Sequence, residues 1–483
     1  MPIATYFSSK TLQSLGSKEN TSSADASWRV PIYATLRTGG IIFIYLLSAL
    51  PLAFPLPAQE LSSKVDEYMQ TQIAEYNFSG SILIAQGGEV VVSKGYGLAG
   101  ASRGVPNTSK TRYRLGSIAG QFTDIAILQL QEKGELRVQD SVCKYIAECP
   151  DGWQEVRIFN LLTHTSGISD ISSSSAYENP TLGAPTVSEL VARIKREPLR
   201  FKPGEKLDYS YSESEVLNAV IERISGQPYS RYLKAHIFTV LGMHNTGYDT
   251  SLRIQYHPGA KKGRLVSLLA PSDLQLSLPY TVSRLYSTVE DLYLWDLALS
   301  SEKLLSQESL EQMFKPYRDG YGYGWMVRKE LDRKLITQGG GIRMYSTSIR
   351  RYPDDVACVV VLSDMETADA GKVSHDLAAI LFGKYYELAR EHKVVRLDPA
   401  TYNNYVGQYA LAPNFVLTVT REGDRLMIQG TGQAKIEILP ESETRFFING
   451  SDAKINFIKI PNGSVTQLVL QQGGSDVSAG RLR

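Results

Sequence analysis

The sequence predicts a mixed α/β (α+β) fold: an antiparallel sheet flanked by helices, with an inserted helical lobe, followed by a small all-β domain. Strand patterns occur near both ends of residues 60–388, and the intervening chain to about residue 315 is mainly helices and loops. Residues 397–475 contain short β runs separated by turns. Terminal strands that bracket helices are expected to share one sheet, with the inserted helices forming a second lobe.

The composition is that of a soluble globular protein with a full core. Of 483 residues, 43% are apolar and 21% are charged, and the formal net charge is +1. Basic blocks and stripes are missing from the sequence, so we predict no nucleic-acid partner.

Residues 1–58 are predicted to be a leader with a signal peptide. Residues 1–38 are polar, and an apolar run extends from Ile41 to Ala58. Arg37 provides the positive charge that typically precedes the apolar stretch of a signal peptide. Three prolines interrupt this run, whereas a membrane helix needs about 20 apolar residues. We therefore predict cleavage near Ala58 and a periplasmic or secreted protein without a stable membrane span; an uncleaved membrane anchor is the alternative.

The three cysteines fit export. Cys143 and Cys149 are close enough in sequence to form a disulfide in an oxidising compartment, although two free thiols are an open alternative. Cys358 lies in an apolar run and is expected to be buried. The six histidines show no zinc spacing, so we predict neither a metal site nor a cofactor.

The first elements are predicted from periodicity. Apolar side chains from Val65 to Tyr76 recur at helical spacing. Two β runs, Ser81–Gln86 and Glu89–Ser93, flank Gly87 and Gly88 and indicate a hairpin.

A second helix carries Ser117 and ends near Gly134, with apolar residues at helical spacing. Strand patterns return at Ser346–Arg350 and Val356–Leu362, and a last helix precedes residue 388. In the C-terminal domain six β runs predict a barrel-like structure without a catalytic cluster: Val416–Thr420, Arg425–Gln429, Lys435–Leu439, Arg445–Ile448, Lys454–Ile460 and Thr466–Gln471.

Several motifs resemble one family in order and spacing. Ser117-Ile118-Ala119-Gly120 resembles the S-x-x-K nucleophile motif of serine β-lactamases and penicillin-binding proteins, with glycine in place of lysine. Residues 160–168, 203–210, 241–247, 286–292 and 321–325 resemble further motifs of the class C β-lactamase-like family, which includes D-alanyl-D-alanine carboxypeptidases and esterases. This resemblance covers about residues 60–388, and the C-terminal segment resembles the lipocalin-like β domain often appended to this family.

The resemblance implies specific roles for individual residues. Ser117 matches the nucleophile and Tyr209 matches the tyrosine of the Y-x-N motif. The other polar positions are degenerate: Gly120 replaces the lysine, Tyr211 replaces the asparagine, and Gln338 replaces the lysine or histidine of the third motif. Gln338, Gly339, Gly340 and Arg343 are the expected substrate-binding residues.

These replacements remove every expected cation from the site. A serine hydroxyl needs a neighbouring base to become a good nucleophile. A tyrosine with an ordinary pKa near 10 is phenolate in only about one molecule in a thousand at pH 7, a cost of roughly 4 kcal/mol. We therefore predict weak or lost Ser117 chemistry on peptide-like or ester acyl substrates. A working hydrolase, esterase or carboxypeptidase that uses Ser117 and Tyr209 with an unusual activator is the alternative.

Other interpretations of these residues remain open. Ser117 could be a helix cap, and Tyr209 could be a packed core residue. Tyr211 could fill the volume left beside Gly120, and Arg343 could supply a positive charge. His164 is more typical of a structural corner than of a catalytic base. A peptide-like or acyl ligand is the expected partner, and the sequence identifies no protein partner.

Overall fold

The computed structural model describes residues 58–99, 104–171, 186–249, 284–342, 345–365, 368–388, 393–412, 415–431, 433, 435–448, 453–460, 463–472 and 475–482. The predicted signal segment before Ala58 lies outside these residues, as does Arg343. Ala58 is the first residue of helix α1. Within the described ranges, no helix combines the length and apolar character needed to cross a bilayer.

A six-stranded antiparallel sheet forms the centre of the larger domain. Its order is β2-β1-β11-β10-β9-β8, so the N-terminal hairpin pairs with strands from the end of the domain, as predicted. The strands are β1 (Gly80–Gln86), β2 (Glu89–Tyr96), β8 (Met326–Glu330), β9 (Arg333–Ile342), β10 (Tyr345–Tyr352) and β11 (Ala357–Ser363).

The chain between β2 and β8 contains short strands and most of the helices. Strands β3 (Leu98–Ala99) and β4 (Val105–Pro106) pair with each other, and β5 (Tyr113–Arg114), β7 (Leu285–Ser287) and β6 (Gly247–Tyr248) form a three-stranded sheet. The helices of the larger domain are α1 (Ala58–Tyr76), α2 (Gly120–Glu132), α3 (Ile158–Leu162), α4 (Val187–Ile194), α5 (Tyr211–Ser225), α6 (Tyr229–Leu233), α7 (Thr239–Leu241), α8 (Val289–Ala298), α9 (Gln307–Phe314) and α10 (Ala370–Leu381).

Both faces of the sheet are covered by helices. Ile82 and Ile84 of β1 belong to the core beneath α1 and α10, whereas Leu83 and Ala85 belong to the core shared with the helical lobe. Strand β11 alternates in the same way, and α8 packs across β1 and β11. Because successive strand residues point to opposite faces, this double covering explains why both strands appear as continuous apolar runs.

The cysteines are placed in two different environments. Cys143 and Cys149 form a disulfide in the lobe, which decides the alternative that the sequence left open. Cys358 is a free, fully buried cysteine on β11, as predicted.

The C-terminal domain is a closed barrel of eight antiparallel strands. Its strands are β12 (Gly407–Ala412), β13 (Phe415–Glu422), β14 (Arg425–Gly430), β15 (Ile436–Pro440), β16 (Arg445–Phe447), β17 (Lys454–Lys459), β18 (Val465–Gln472) and β19 (Ser475–Arg481). The six predicted β runs correspond to β13–β18, and the pattern missed β12 and β19. Strand β19 pairs with β12 and closes the barrel, and the interior is a continuous apolar core.

Candidate active site

Ser117 lies in a single 3-10 turn, Gly116–Ala119, which connects β5 to α2. Gly116 has φ +58°, a conformation that favours glycine, and this allows the chain to turn sharply before the serine. The turn packs directly on the sheet: Thr347 Oγ1 of β10 donates to the Leu115 carbonyl at 2.8 Å. Ser117 itself remains partly exposed within this packed turn.

Ser117 does not act as a helix cap. No side chain caps either the 3-10 turn or α2. Instead, the Ser117 hydroxyl forms hydrogen bonds with the phenols of Tyr209 and Tyr211. The structure thus brings together the predicted nucleophile, the predicted tyrosine and the residue that replaces the motif asparagine.

Gly120 leaves open space on the Ser117 side of α2. Its backbone is right-handed helical, with φ −57° and ψ −33°, so any L-residue could adopt it. A Cβ at this position would have no heavy atom within 4 Å outside its own chain neighbours and helix backbone. The Tyr211 phenol reaches Ser117, and the expectation that this side chain fills the volume of the missing lysine stays a prediction.

Tyr209 and Tyr211 present perpendicular rings beside the serine. Tyr209 ends the segment before α5 and Tyr211 is its first residue; the ring centroids are 5.2 Å apart at an interplanar angle of 84°. Desolvation raises the pKa of Tyr209 well above its ordinary value, the nearby Tyr211 raises it further, and the hydrogen bond with Ser117 opposes this. Desolvation also raises the pKa of Tyr211. At pH 7 a smaller fraction of either phenol is therefore ionised than of an exposed tyrosine.

His164 is engaged in a structural network behind Tyr209. It has φ +52°, its ring lies 4.1 Å from the Tyr209 ring, and its Nδ1 contacts the Glu213 carboxylate. The other Glu213 oxygen accepts from Ser166 Oγ at 2.5 Å. Desolvation raises the pKa of Glu213, which is 1% exposed, and the interactions with His164 and Ser166 act against this increase.

A second buried acid, Asp124, lies on α2 one turn after Gly120. It is 5% exposed, and none of the described groups donates a hydrogen bond to its carboxylate or forms an ion pair with it. Desolvation raises the pKa of Asp124 well above its ordinary value, and the charge of Glu213 raises it further. Gly324 contacts the carboxylate so closely that a Cβ there would lie less than 3.0 Å from Oδ2.

The remaining predicted residues lie on β9. Gln338 forms a hydrogen bond with Tyr321, whose ring is 5.1 Å from that of His164. Gly339 and Gly341 are exposed, whereas Gly340 is buried against the Leu115 turn. These contacts place Gln338 at the edge of the aromatic cluster and give Gly340 a packing role.

The electrostatic environment of the cluster is acidic. The largest charge effects on the phenols of Tyr209 and Tyr321 come from Asp124, Glu213 and other phenols, and the one on Tyr211 comes from Asp170. In the described part of the chain, no three histidine, cysteine, aspartate or glutamate side chains are grouped to hold a metal ion. The arrangement therefore holds a serine with hydrogen-bonded phenols but without a neighbouring cation among the groups that act on them.

Sequence reasoning missed Asp124, Glu213 and Tyr321 as parts of this cluster. Asp124 could have been noticed, because it is an acid seven residues after Ser117 on the same helix face and within an otherwise apolar segment. Tyr321 begins the family motif at residues 321–325 but was given no role in the site, and Glu213 carried no signal.

Amide substitutions of the two buried acids are expected to change stability in opposite directions. The raised pKa of Asp124 in the folded state means that its contribution is most favourable below its unfolded pKa, about 4, and is lost as pH rises through the folded value. Asp124→Asn should therefore be more stable than the wild type at pH 7 and should lose this advantage near pH 4. Urea denaturation across pH 4–8 measures the difference, and a wild type that gains stability over Asp124→Asn as pH rises would contradict the assignment.

Glu213→Gln is the matched control for that prediction. An amide has one acceptor oxygen and would present N–H groups to either Ser166 or His164, so it leaves a buried donor unpaired. We expect a loss of about 1–3 kcal/mol at pH 7.

Comparison with known proteins relates both domains to described families. The Beta-lactamase family profile matches residues 63–382, and a Domain of unknown function matches residues 391–480. A penicillin-binding protein of Bacillus subtilis (strain 168) is 28% identical over 437 residues, which is 85% of this chain and 96% of that protein.

Solved structures show the same architecture. An octameric penicillin-binding protein homologue from Pyrococcus abyssi superposes with a TM-score of 0.60 and 25% identity, covering 86% of this chain and 99% of its own. A D-stereospecific amidohydrolase from Streptomyces sp. shares the fold, with a TM-score of 0.57 and 23% identity over 67% of this chain and 99% of its own.

Proposed function

Because the chain belongs to the beta-lactamase family, we propose that it is an exported homologue of that family's serine hydrolases with weak or lost turnover at Ser117. In this proposal it retains binding of a peptide-like or acyl ligand in the Ser117 cleft. One observation carries the proposal. Ser117 is partly exposed, but the family's lysine position is Gly120, with no heavy atom near its Cβ position outside the adjacent chain and helix backbone.

The available proton acceptors are poor substitutes for a lysine. An ordinary tyrosine already costs roughly 4 kcal/mol to ionise at pH 7, and desolvation raises the pKa of Tyr209 and Tyr211 further. His164 contacts Glu213 through Nδ1, and its ring lies tilted against the Tyr209 ring. A positioned general base typically contributes about 10²–10⁴-fold to the rate, so its loss is enough to reduce turnover severely.

The relatives and the partial exposure of Ser117 support the proposed ligand class. The relative from Bacillus subtilis is named for binding penicillin, and the Streptomyces protein is a D-stereospecific amidohydrolase. Both names describe ligands with an acyl group or an amide bond. The partly exposed Ser117, with Gln338 at the edge of the cluster, supports retention of such a ligand here.

A working hydrolase is the second candidate. The observation that favours it is the pair of hydrogen bonds between Ser117 and the two phenols, which provides a route for the serine proton. In this case Tyr209 would accept the proton during attack, with an activator outside the family motif.

Export is supported by two features of this chain. The apolar run from Ile41 to Ala58 has the composition of a secretory signal. The disulfide between Cys143 and Cys149 fits an oxidising compartment.

Two reagents test the proposal on the full chain. A fluorescent β-lactam and a fluorophosphonate should label the wild type no more than a few-fold faster than Ser117→Ala, while calorimetry detects an acyl-D-alanyl-D-alanine peptide binding to both proteins. The exposed Ser63 provides the control variant Ser63→Ala. Rapid labelling of the wild type that disappears only in Ser117→Ala would establish the working hydrolase instead.

A further inference from the structure

We propose that the space beside Gly120 binds a primary ammonium group supplied by the ligand, which pairs with the Asp124 carboxylate and lies against the phenol rings of Tyr209 and Tyr211. The inference deepens the proposed function by naming a charge that the ligand carries. A ligand with an aliphatic primary amine would thus provide the cation that the chain itself has lost.

The volume at this position suits an alkylamine. No heavy atom outside the neighbouring chain and helix backbone lies within 4 Å of the Cβ position at Gly120. The side chain expected in the family motif is a four-carbon chain ending in an ammonium group. A ligand amine on a chain of similar length would extend from this open position towards Ser117.

Asp124 provides the matching charge. Residues four apart on a helix have Cβ atoms about 5–6 Å apart on one face, and helical side chains incline towards the N-terminus. Asp124 therefore shares a helix face with Gly120, and its carboxylate lies beside Gly324. An ionised carboxylate that is 95% buried without a described hydrogen-bond donor is costly, and an entering cation relieves that cost.

The aromatic rings complete a site that favours a cation over a neutral group. Tyr209 and Tyr211 both reach Ser117, and their rings lie perpendicular to each other with centroids 5.2 Å apart. Ammonium groups bind favourably within about 6 Å of such faces. Among the groups that act on these phenols, Asp124, Glu213 and Asp170 are carboxylates, which attract a positive group when they are ionised.

Calorimetry with n-butylamine tests the site, with 1-butanol as the uncharged analogue of equal length. We expect saturable binding of n-butylamine to the wild type, about tenfold or more tighter than 1-butanol. Asp124→Asn should weaken n-butylamine by about ten- to hundredfold and leave 1-butanol nearly unchanged, since a hydrogen-bonded charge pair is lost.

Two substitutions at Gly120 separate the pocket from other amine sites. Gly120→Met fills the space without a charge and Gly120→Lys fills it with a tethered ammonium, so both should abolish n-butylamine binding. Both residues suit the helical backbone of Gly120, and circular dichroism confirms folding. Equal binding to the wild type and Gly120→Met, or no saturable binding to the wild type, would overturn the proposal.

Ser117→Ala separates this inference from the proposed function. Amine binding should persist in Ser117→Ala, because the carboxylate and the rings are retained. Rapid labelling of Ser117 in the wild type would refute impaired turnover without affecting the amine site. Absence of amine binding with slow labelling would refute the amine site alone.

Discussion

Gly120→Lys is expected to increase the rate at which Ser117 reacts with a fluorescent β-lactam or a fluorophosphonate by about 10²–10⁴-fold, the usual contribution of a positioned base. The backbone at Gly120 is helical and the Cβ position is open, so the lysine can enter without displacing a neighbour. Its ammonium or amine would lie beside the serine, and a positive charge there would lower the pKa of Tyr209, which desolvation and acidic neighbours now raise.

Asp124 is expected to affect the protonation state of a lysine introduced at position 120, and this effect can be measured. A lysine at position 120 lies four residues before Asp124 on the same helix face, and pairing with the carboxylate keeps the amine protonated. Gly120→Lys/Asp124→Asn should therefore react faster than Gly120→Lys if the lysine acts as the base. If the lysine acts only by lowering the pKa of Tyr209, the two variants should react at similar rates.

The controls for this experiment are substitutions at positions 120 and 117. Gly120→Met adds volume without an amine and should react as slowly as the wild type, and Ser117→Ala in the lysine background should abolish labelling. A wild type that already reacts as fast as Gly120→Lys would show that the missing lysine does not limit the chemistry. A Gly120→Lys variant that folds but stays unreactive would show that the cleft has diverged beyond this position.

The apolar patterns of the sequence predicted four of the six strands of the central sheet but not β8 or β9, although the family resemblance placed Gln338 on a strand. β1, β2, β10 and β11 follow from apolar patterns that the two buried faces of the sheet impose. β9 contains Gly339–Gly341 and β8 contains two basic residues, and these compositions give weak strand signals. Their pairing depends on contact with β10, which only the tertiary structure provides.

Some features of the candidate site could likewise be predicted from the sequence, and others could not. Motif order identified Ser117, Gly120, Tyr209, Tyr211 and Gln338, and their roles stay predictions. The charge around them could not be predicted, because it depends on Asp124 being buried against Gly324, about 200 residues later in the chain. A helical pattern shows which face an acid occupies but not what covers that face.

The close packing of the Ser117 turn on β9 predicts the largest effect on stability. A Cβ at Gly340 would lie less than 3.0 Å from the Leu115 carbonyl oxygen and from Thr347 Oγ1. The carbonyl cannot move without displacing the turn, and the Thr347–Leu115 hydrogen bond would be lost as well. Gly340→Ala should therefore destabilise the larger domain by about 2–4 kcal/mol, from overpacking and the lost hydrogen bond.

Gly341→Ala is a matched control one residue away on the same strand. Its Cβ would have no neighbour within 4 Å, so its stability should stay within about 0.5 kcal/mol of the wild type. Tryptophan fluorescence during urea denaturation reports this domain, because no tryptophan follows Trp325. In the Gly120→Lys background, Gly340→Ala should also remove the gained reactivity, since it shifts the turn that carries Ser117. Equal stability of Gly340→Ala and Gly341→Ala would show that the turn does not depend on the contact with Gly340.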